Sequence, residues 1–385
     1  MFENIITDQI TQQVSTIISP FQHGFLKGKS TCTNLLEFCS KTIHGFIKGM
    51  QTDTIYTDFS KAFDTVNHEL LIMKLNFIGF PSDLLHWISS YLCRRLQKVK
   101  YNNTLSSSIN VYSGEPQGSH LGPLLFLIFI NDLPSTIRFS DIILFADDVK
   151  LFKKIRNPEN AVQLQIDIDS LAMWCEVNGM ILNVDKCKMM TFYRGSLMTY
   201  SYTIGNNALQ RLESFKDLGV IMDPKLRFNL HINFTINKAN GVLGFIKRWA
   251  KDFNDPYVTV SLFNSIVRPI LEYAVVVWCP RYGIYISRLE SVQKQFALFA
   301  LRKFQCYPSV NLPSYSSRLR LIRLPSLESR RMMLNVTFIH KLLNGLISSK
   351  YLLSSININV PARMTGNYIF IKFDTAISNY AAFEQ

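Results

Sequence analysis

The stretch that most narrows what this chain can become is Ile142-Ile143-Leu144-Phe145-Ala146-Asp147-Asp148-Val149-Lys150-Leu151-Phe152. Two apolar runs rich in strand formers flank a pair of adjacent acids, the pattern of a β-hairpin whose turn presents carboxylates. Adjacent aspartates repel each other and gain nothing from burial. Aspartate also favours turns because its side chain hydrogen-bonds local backbone, so an Asp-Asp pair taken alone is more often a turn than a metal site. A second run changes the balance. Thr54-Ile55-Tyr56-Thr57-Asp58-Phe59 is strand-like, ends at an aspartate and leads into a helix-like segment. Two strand ends that each deliver a carboxylate can hold a pair of hard cations through oxygen ligands.

Phe145-Ala146-Asp147-Asp148 resembles the [YF]-x-D-D box of reverse transcriptases, and Asp58-Phe59-Ser60-Lys61-Ala62-Phe63-Asp64 resembles their D-x-x-x-A-F-D motif. Between them, Pro116-Gln117-Gly118-Ser119-His120-Leu121-Gly122-Pro123-Leu124-Leu125-Phe126 is similar to the P-Q-G-S-x-L-G-P-L-L-F block. Three motifs in one order are far more specific than any one of them. The likeness is to the polymerases of non-LTR (LINE-type, jockey-like) retrotransposons.

This resemblance implies an α+β right-hand polymerase: fingers and palm with an antiparallel sheet over 1–223, a helical basic thumb over 224–331, and a helical extension over 332–385. It implies an RNA-directed DNA polymerase that joins a dNTP to a primer 3′-hydroxyl, with an RNA template, a DNA primer and two Mg²⁺ ions, for which Mn²⁺ can substitute. Asp58 and Asp147 are then the primary catalytic ligands and Asp148 the third acid beside them. Phe59, Phe63, Gln117 and Gly118 fall to the nucleotide. Phe63 stands where the family crowds the ribose 2′ position, which disfavours an RNA-making polymerase. Gly118 has a physical rationale of its own, since a missing Cβ lets backbone approach a ligand. Lys186 is a candidate for meeting the pyrophosphate, and equally reads as a solvated lysine.

Further blocks extend the likeness. Gln22-His23-Gly24-Phe25-Leu26-Lys27-Gly28-Lys29-Ser30-Thr31 resembles Q-x-G-F-R-x-G-R-S-T, with Leu26 and Lys29 at positions where the family has arginine. Lys27, Lys29 and the backbone N–H groups of a helix starting near Ser30 suit phosphate, or equally make a basic solvated loop. Trp174, Cys175, Asn178, Leu182, Asn183, Lys186, Cys187 and Lys188 follow the family's W-C-x-x-N-x-x-x-L-N-x-x-K-C-K spacing. Phe215-Lys216-Asp217-Leu218-Gly219-Val220 resembles F-K-Y-L-G-V, a hairpin whose Leu218-Gly219 turn is implied to support the primer terminus. Here Asp217 replaces the usual tyrosine. The expected elements include helices over 7–20, 67–79, 81–92 and 161–178, a hairpin about Asn102-Asn103, and long helices over about 228–250, 257–272, 284–304 and 326–346.

Composition sets the outer bounds. An apolar fraction of 48% over 385 residues excludes a disordered chain and permits more than one domain. The longest apolar runs fall far short of the ~20 residues of a membrane helix, so no membrane partner is expected. Seven scattered cysteines without a C-x-x-C pair suggest reduced thiols and no zinc site. The expected location is intracellular, in the nucleus or cytoplasm, and not secreted. Between Lys225 and Arg331 there are 17 Lys/Arg against 5 Asp/Glu, nearly the whole net charge of +13. Such a confined surplus points to a polyanion, and Lys247 and Arg248 are the thumb cations singled out. Met1-Phe2-Glu3-Asn4-Ile5-Ile6 resembles the F-E-K-I-I that follows the family's R-P-I-S-L segment, so a 5′-truncated copy is expected. The competing expectation is an inactive remnant that only binds nucleic acid.

Overall fold

In the computed structural model, residues 2–250, 256–303, 313–359 and 370–373 are described. The chain divides into two units, Met1–Asn34 with His44–Glu213, and Leu35–Ile43 with Ser214–Gln385. The hairpin expected to close the palm thus groups with the helices, earlier than the expected break at Asp223-Pro224.

The first unit is built on a five-stranded sheet. Its strands are β1 (Gln51–Thr57), β2 (Asp141–Phe145), β3 (Asp148–Ile155), β4 (Lys188–Phe192) and β5 (Gln210–Arg211), in the order β5-β4-β1-β3-β2. All pairings are antiparallel except β5 with β4. Strand β1 lies central and is buried along its whole length. It begins three residues before the apolar run, where Gln51 and Asp53 find side-chain partners. Asp53 accepts from Tyr202 Oη (2.8 Å) and Gln51 Nε2 (3.0 Å), and burial still holds its carboxyl above the usual range.

With the sheet go helices α1 (Phe2–Val14), α3 (His68–Phe77), α4 (Ser82–Leu92), α5 (Gly122–Phe129) and α6 (Pro158–Val177), while α2 (Thr31–Ile47) has its ends in this unit and residues 35–43 in the other. Helix α5 is apolar on every side, and seven of its eight residues are buried. Local chemistry sets the ends of the others. Ser30 caps α2 in a reciprocal capping box with Thr33, and Asn67 caps α3 by accepting from Leu70 N. Helix α1 runs earlier than the expected 7–20, ending at Val14. The expected hairpin turn at Asn102-Asn103 forms with both residues at positive φ, and the ladder around it pairs Lys100–Tyr101 with Thr104–Leu105.

The second unit is mainly helical, with α7 (Asn229–Trp249), α8 (Gly283–Lys303) and α9 (Leu327–Leu343) as its long members. It also holds two strand pairs, one being the hairpin expected just ahead of the Asp223-Pro224 break and the other lying within 332–385, where a helical extension was expected. Phe215–Asp217 pairs with Val220–Met222, and Ile356–Asn359 pairs with Phe370–Phe373. The second of these follows period-2 alternation in Ile356-Asn357-Ile358-Asn359. The first is fastened to the helices. Ile221 N donates to His231 Nδ1 (3.2 Å), and Tyr273 Oη donates to Leu218 O (2.8 Å). Burial drops His231 to about 4, keeping the imidazole neutral as that acceptor role requires. Cys306 and the end of the 284–304 helix lie outside the described residues.

Candidate active site

Strands β2 and β3 form a hairpin in which Phe145 faces Asp148, leaving Ala146-Asp147 as a two-residue turn. Strand β1 pairs with β3 up to Thr57 opposite Val149. One step further along that register sets Asp58 opposite Asp148 and beside the turn that carries Asp147. Burial, and then the charge of Asp58, push the Asp147 carboxyl above its ordinary range, partly offset by its own backbone N–H. Asp58 Oδ2 is buried and accepts no hydrogen bond, while Lys186 Nζ lies 3.4 Å from it. Asp148 is exposed.

A carboxylate with a buried oxygen lacking a donor, next to a second acid that it opposes, is relieved on both counts by a hard cation. The residues therefore fit a divalent ion, with Asp58 and Asp147 as the holders. Among the described residues no three His, Cys, Asp or Glu side chains converge as a ready cage.

The turn is strained and held from behind. Ala146 sits at φ +54°, a region that favours glycine. Gln22 Oε1 accepts from Ala146 N (2.9 Å), His23 N donates to Leu144 O (2.9 Å), and Asn34 Nδ2 donates to Leu144 O (3.1 Å). Gly24 lies so close that a Cβ there would meet Ala146 N at 2.4 Å. The Gln22–Thr31 block, read from sequence as a phosphate-facing or solvated basic loop, is thus in large part a brace for the Ala146-Asp147 turn. Lys29 donates to the carbonyls of Pro20 and Gln22, and Leu26 packs against the core. Lys27 is exposed.

The nucleotide candidates divide between ring and main chain. Phe63 stands in a short 3₁₀ turn, Ala62–Asp64, half-buried with its ring 4.4 Å from Phe126 and 6.4 Å from Phe25 between centroids. The ring of Phe59 is buried in the core, so only its main chain, bridged to Leu182, borders the site. That bridge, with Asn183 N donating to Asp58 O (2.8 Å), sets the loop that carries Lys186. Gln117 Nε2 donates to Asp64 Oδ1 (2.9 Å), and Ser113 Oγ donates to Asp64 O (2.9 Å). Gly118 has φ +82° and open space where a Cβ would stand.

One residue here went unread in the sequence. Glu115 is 7% exposed, and neither carboxyl oxygen has a hydrogen-bond partner. Burial alone pushes it up to about 9, so it is neutral at pH 7. Its backbone N–H donates to Phe63 O (2.9 Å), and a Cβ on Gly122 would meet its Oε2 at 2.9 Å. A charged residue between Gly114 and Pro116, ahead of a wholly apolar helix, is the only sequence signal it gives.

In the second unit, Leu218-Gly219 is a tight turn with both residues at positive φ, where a Cβ on Gly219 would lie 2.9 Å from the Tyr273 ring. Lys247 lines a cavity of about 460 Å³ with Gln295, Leu298, Phe299 and Arg302, and burial lowers its pKa. Arg248 is exposed in the last turn of α7 beside Phe245 and Trp249, whose rings lie 5.7 Å apart and open to solvent. The two aromatics were not anticipated from sequence. Their spacing of four puts them on one helix face, a signal the sequence did carry.

Residues 1–222 match the family model for reverse transcriptase (RNA-dependent DNA polymerase). The RNA-directed DNA polymerase from mobile element jockey of Drosophila funebris is 27% identical over 325 residues, 80% of this chain and 34% of that protein. The probable RNA-directed DNA polymerase from transposon BS of Drosophila melanogaster is 27% identical over 310 residues, covering 77% and 34%. The chain spans about a third of the length of these curated relatives. Among solved structures, apo telomerase from Candida tropicalis superposes with a TM-score of 0.43 at 9% identity, over 83% of this chain and 53% of that one. With the family model covering more than half of its length, the chain belongs to the reverse transcriptase family.

Proposed function

We propose that this chain is the polymerase core of a non-LTR retrotransposon reverse transcriptase, which extends a DNA primer on an RNA template by nucleotidyl transfer from dNTPs with two Mg²⁺ ions. The observation that carries this reading is the meeting of Asp58, at the end of β1, with Asp147 in the β2–β3 turn. Divalent ions held there would lower the pKa of the attacking hydroxyl and neutralise the leaving oxygens.

The protein's own groups position and exclude. The Phe63 ring, backed by the tilted ring of Phe126, is a rigid wall against a ribose 2′-hydroxyl. The Gln117 side chain, steadied by Asp64, and the open backbone at Gly118 face the nucleotide. Lys186 is long and two-thirds exposed, so its ammonium can leave Asp58 for the departing pyrophosphate. Lys27, Lys247 and Arg248, with the Leu218-Gly219 turn, would contact the template–primer backbone without reading sequence. These substrates place its work inside the cell, in nucleus or cytoplasm.

Primer extension on a homopolymer RNA template with Mg²⁺ tests the proposal. Extension should be seen with the parent chain and vanish in Asp147→Asn/Asp148→Asn. Salt-sensitive binding of template–primer with no extension by the parent chain would overturn it.

A further inference from the structure

Backbone strain gathers around one place in the first unit. Phe25, Lys61 and Ala146 all hold positive φ without being glycine, at +53°, +51° and +54°. Lys61 opens the turn that carries Phe63, and Ala146 opens the turn that carries Asp147. Strain of this kind persists only where surrounding structure over-determines it, and it concentrates at binding and catalytic sites. Two of these three positions already serve the site described above. Phe25 is left without an assignment.

Its neighbours fix where it goes. Gly24 abuts the backbone of Ala146, and Leu26 turns into the core. Between them Phe25 is forced outward, with 60% of its surface exposed. A large aromatic held mostly open to solvent in a left-handed conformation gains little in stability from burial there. Its ring stands at 88° to the Phe63 ring, centroids 6.4 Å apart. Phe63 thus has two ring neighbours, Phe126 at 4.4 Å and the exposed Phe25. Two perpendicular rings form a corner. Phe25 follows directly on Gly24, the residue packed against the Ala146 backbone.

We infer that Phe25 is a substrate-contacting residue: it stacks on the base of the incoming nucleotide while Phe63 meets its sugar. The inference rests on the polymerase reading. Every nucleobase has a π-face, so the contact is indifferent to base identity and serves all four nucleotides.

The test is steady-state single-nucleotide incorporation by the full chain, comparing Phe25→Ala, Phe25→Leu and Phe25→Tyr. Loss of a base–aromatic stack should raise KM for each of the four dNTPs by about 5- to 100-fold, with kcat little changed. Phe25→Tyr should restore KM, whereas Phe25→Leu, which fills space without a π-face, should not. Thermal midpoints should be alike in all three variants. Parent-like KM in Phe25→Ala would overturn the inference and leave the polymerase reading standing. Rescue by Phe25→Leu, or a lowered midpoint that tracks the kinetic loss, would assign Phe25 to packing and overturn it too. An absence of incorporation by the parent chain would instead remove the polymerase reading, and this role with it.

Discussion

Glu115 gives the most quantitative handle on the P-Q-G-S loop. The perturbation is Glu115→Gln, which keeps shape and removes the titration. The carboxyl is 7% exposed, has no hydrogen-bond partner, and titrates near 9 in the folded chain against 4.5 when free. Between those values the folded state binds the proton that the unfolded state releases, so stability falls as pH rises and levels off above about 9. The slope is about 1.4 kcal/mol per pH unit. At pH 7 the parent should therefore be less stable than Glu115→Gln by roughly 3 kcal/mol. For a unit of this size 1 kcal/mol moves the thermal midpoint by about 2–4 °C, so the gap should reach ~6–12 °C. Paired melting curves from pH 5 to pH 9, followed through the first unit, read it directly. The gap should be small at pH 5 and widen steadily. A gap constant with pH, or one favouring the parent, would refute the claim that this carboxyl is buried without a partner.

The remaining predictions concern the catalytic turn. Gly24→Ala puts a Cβ within 2.4 Å of Ala146 N, where both atoms belong to constrained backbone; primer extension should fall more than tenfold with the α-helical circular dichroism retained, and unimpaired extension would show that the brace is dispensable. Ala146→Gly relieves the φ of +54° and should raise stability by about 1 kcal/mol, read as a higher thermal midpoint; a lower midpoint contradicts the strain. Lys186→Ala removes the ammonium 3.4 Å from Asp58 and should tighten Mn²⁺ binding a few-fold in nucleotide-free protein, measured by electron paramagnetic resonance titration; weaker binding would mean that Lys186 organises the acids rather than competing for them.

Much of the fold was legible because its signals are local. Asn67 as cap and Gly79 as stop bound α3, Ser30 opens α2, and the two apolar runs around Asp147-Asp148 form the hairpin they suggest. What stayed hidden depends on partners distant in sequence. Gln22 and Ala146 are 124 positions apart, and nothing near Gln22 announces that its side chain clasps the catalytic turn. Lys29 reads as a phosphate contact until the carbonyls of Pro20 and Gln22 are seen around it. The first three residues of β1 are polar, and the burial of Asp53 among them is offset by Tyr202 far downstream. Phe59 and Phe63 look equally suited to a nucleotide in the motif, and only packing separates a fully buried ring from a half-buried one. The hairpin 215–222 groups with the helices through His231 and Tyr273, contacts that a boundary drawn at a proline does not foresee.

The central claim is that Asp58 and Asp147, from two separate strand ends, make one cation site. It is tested most directly by Mn²⁺ binding, followed by electron paramagnetic resonance, in the parent chain and in the single variants Asp58→Asn and Asp147→Asn. The account predicts specific binding in the parent that either substitution abolishes while the thermal midpoint is kept. Undiminished binding in both variants would contradict it.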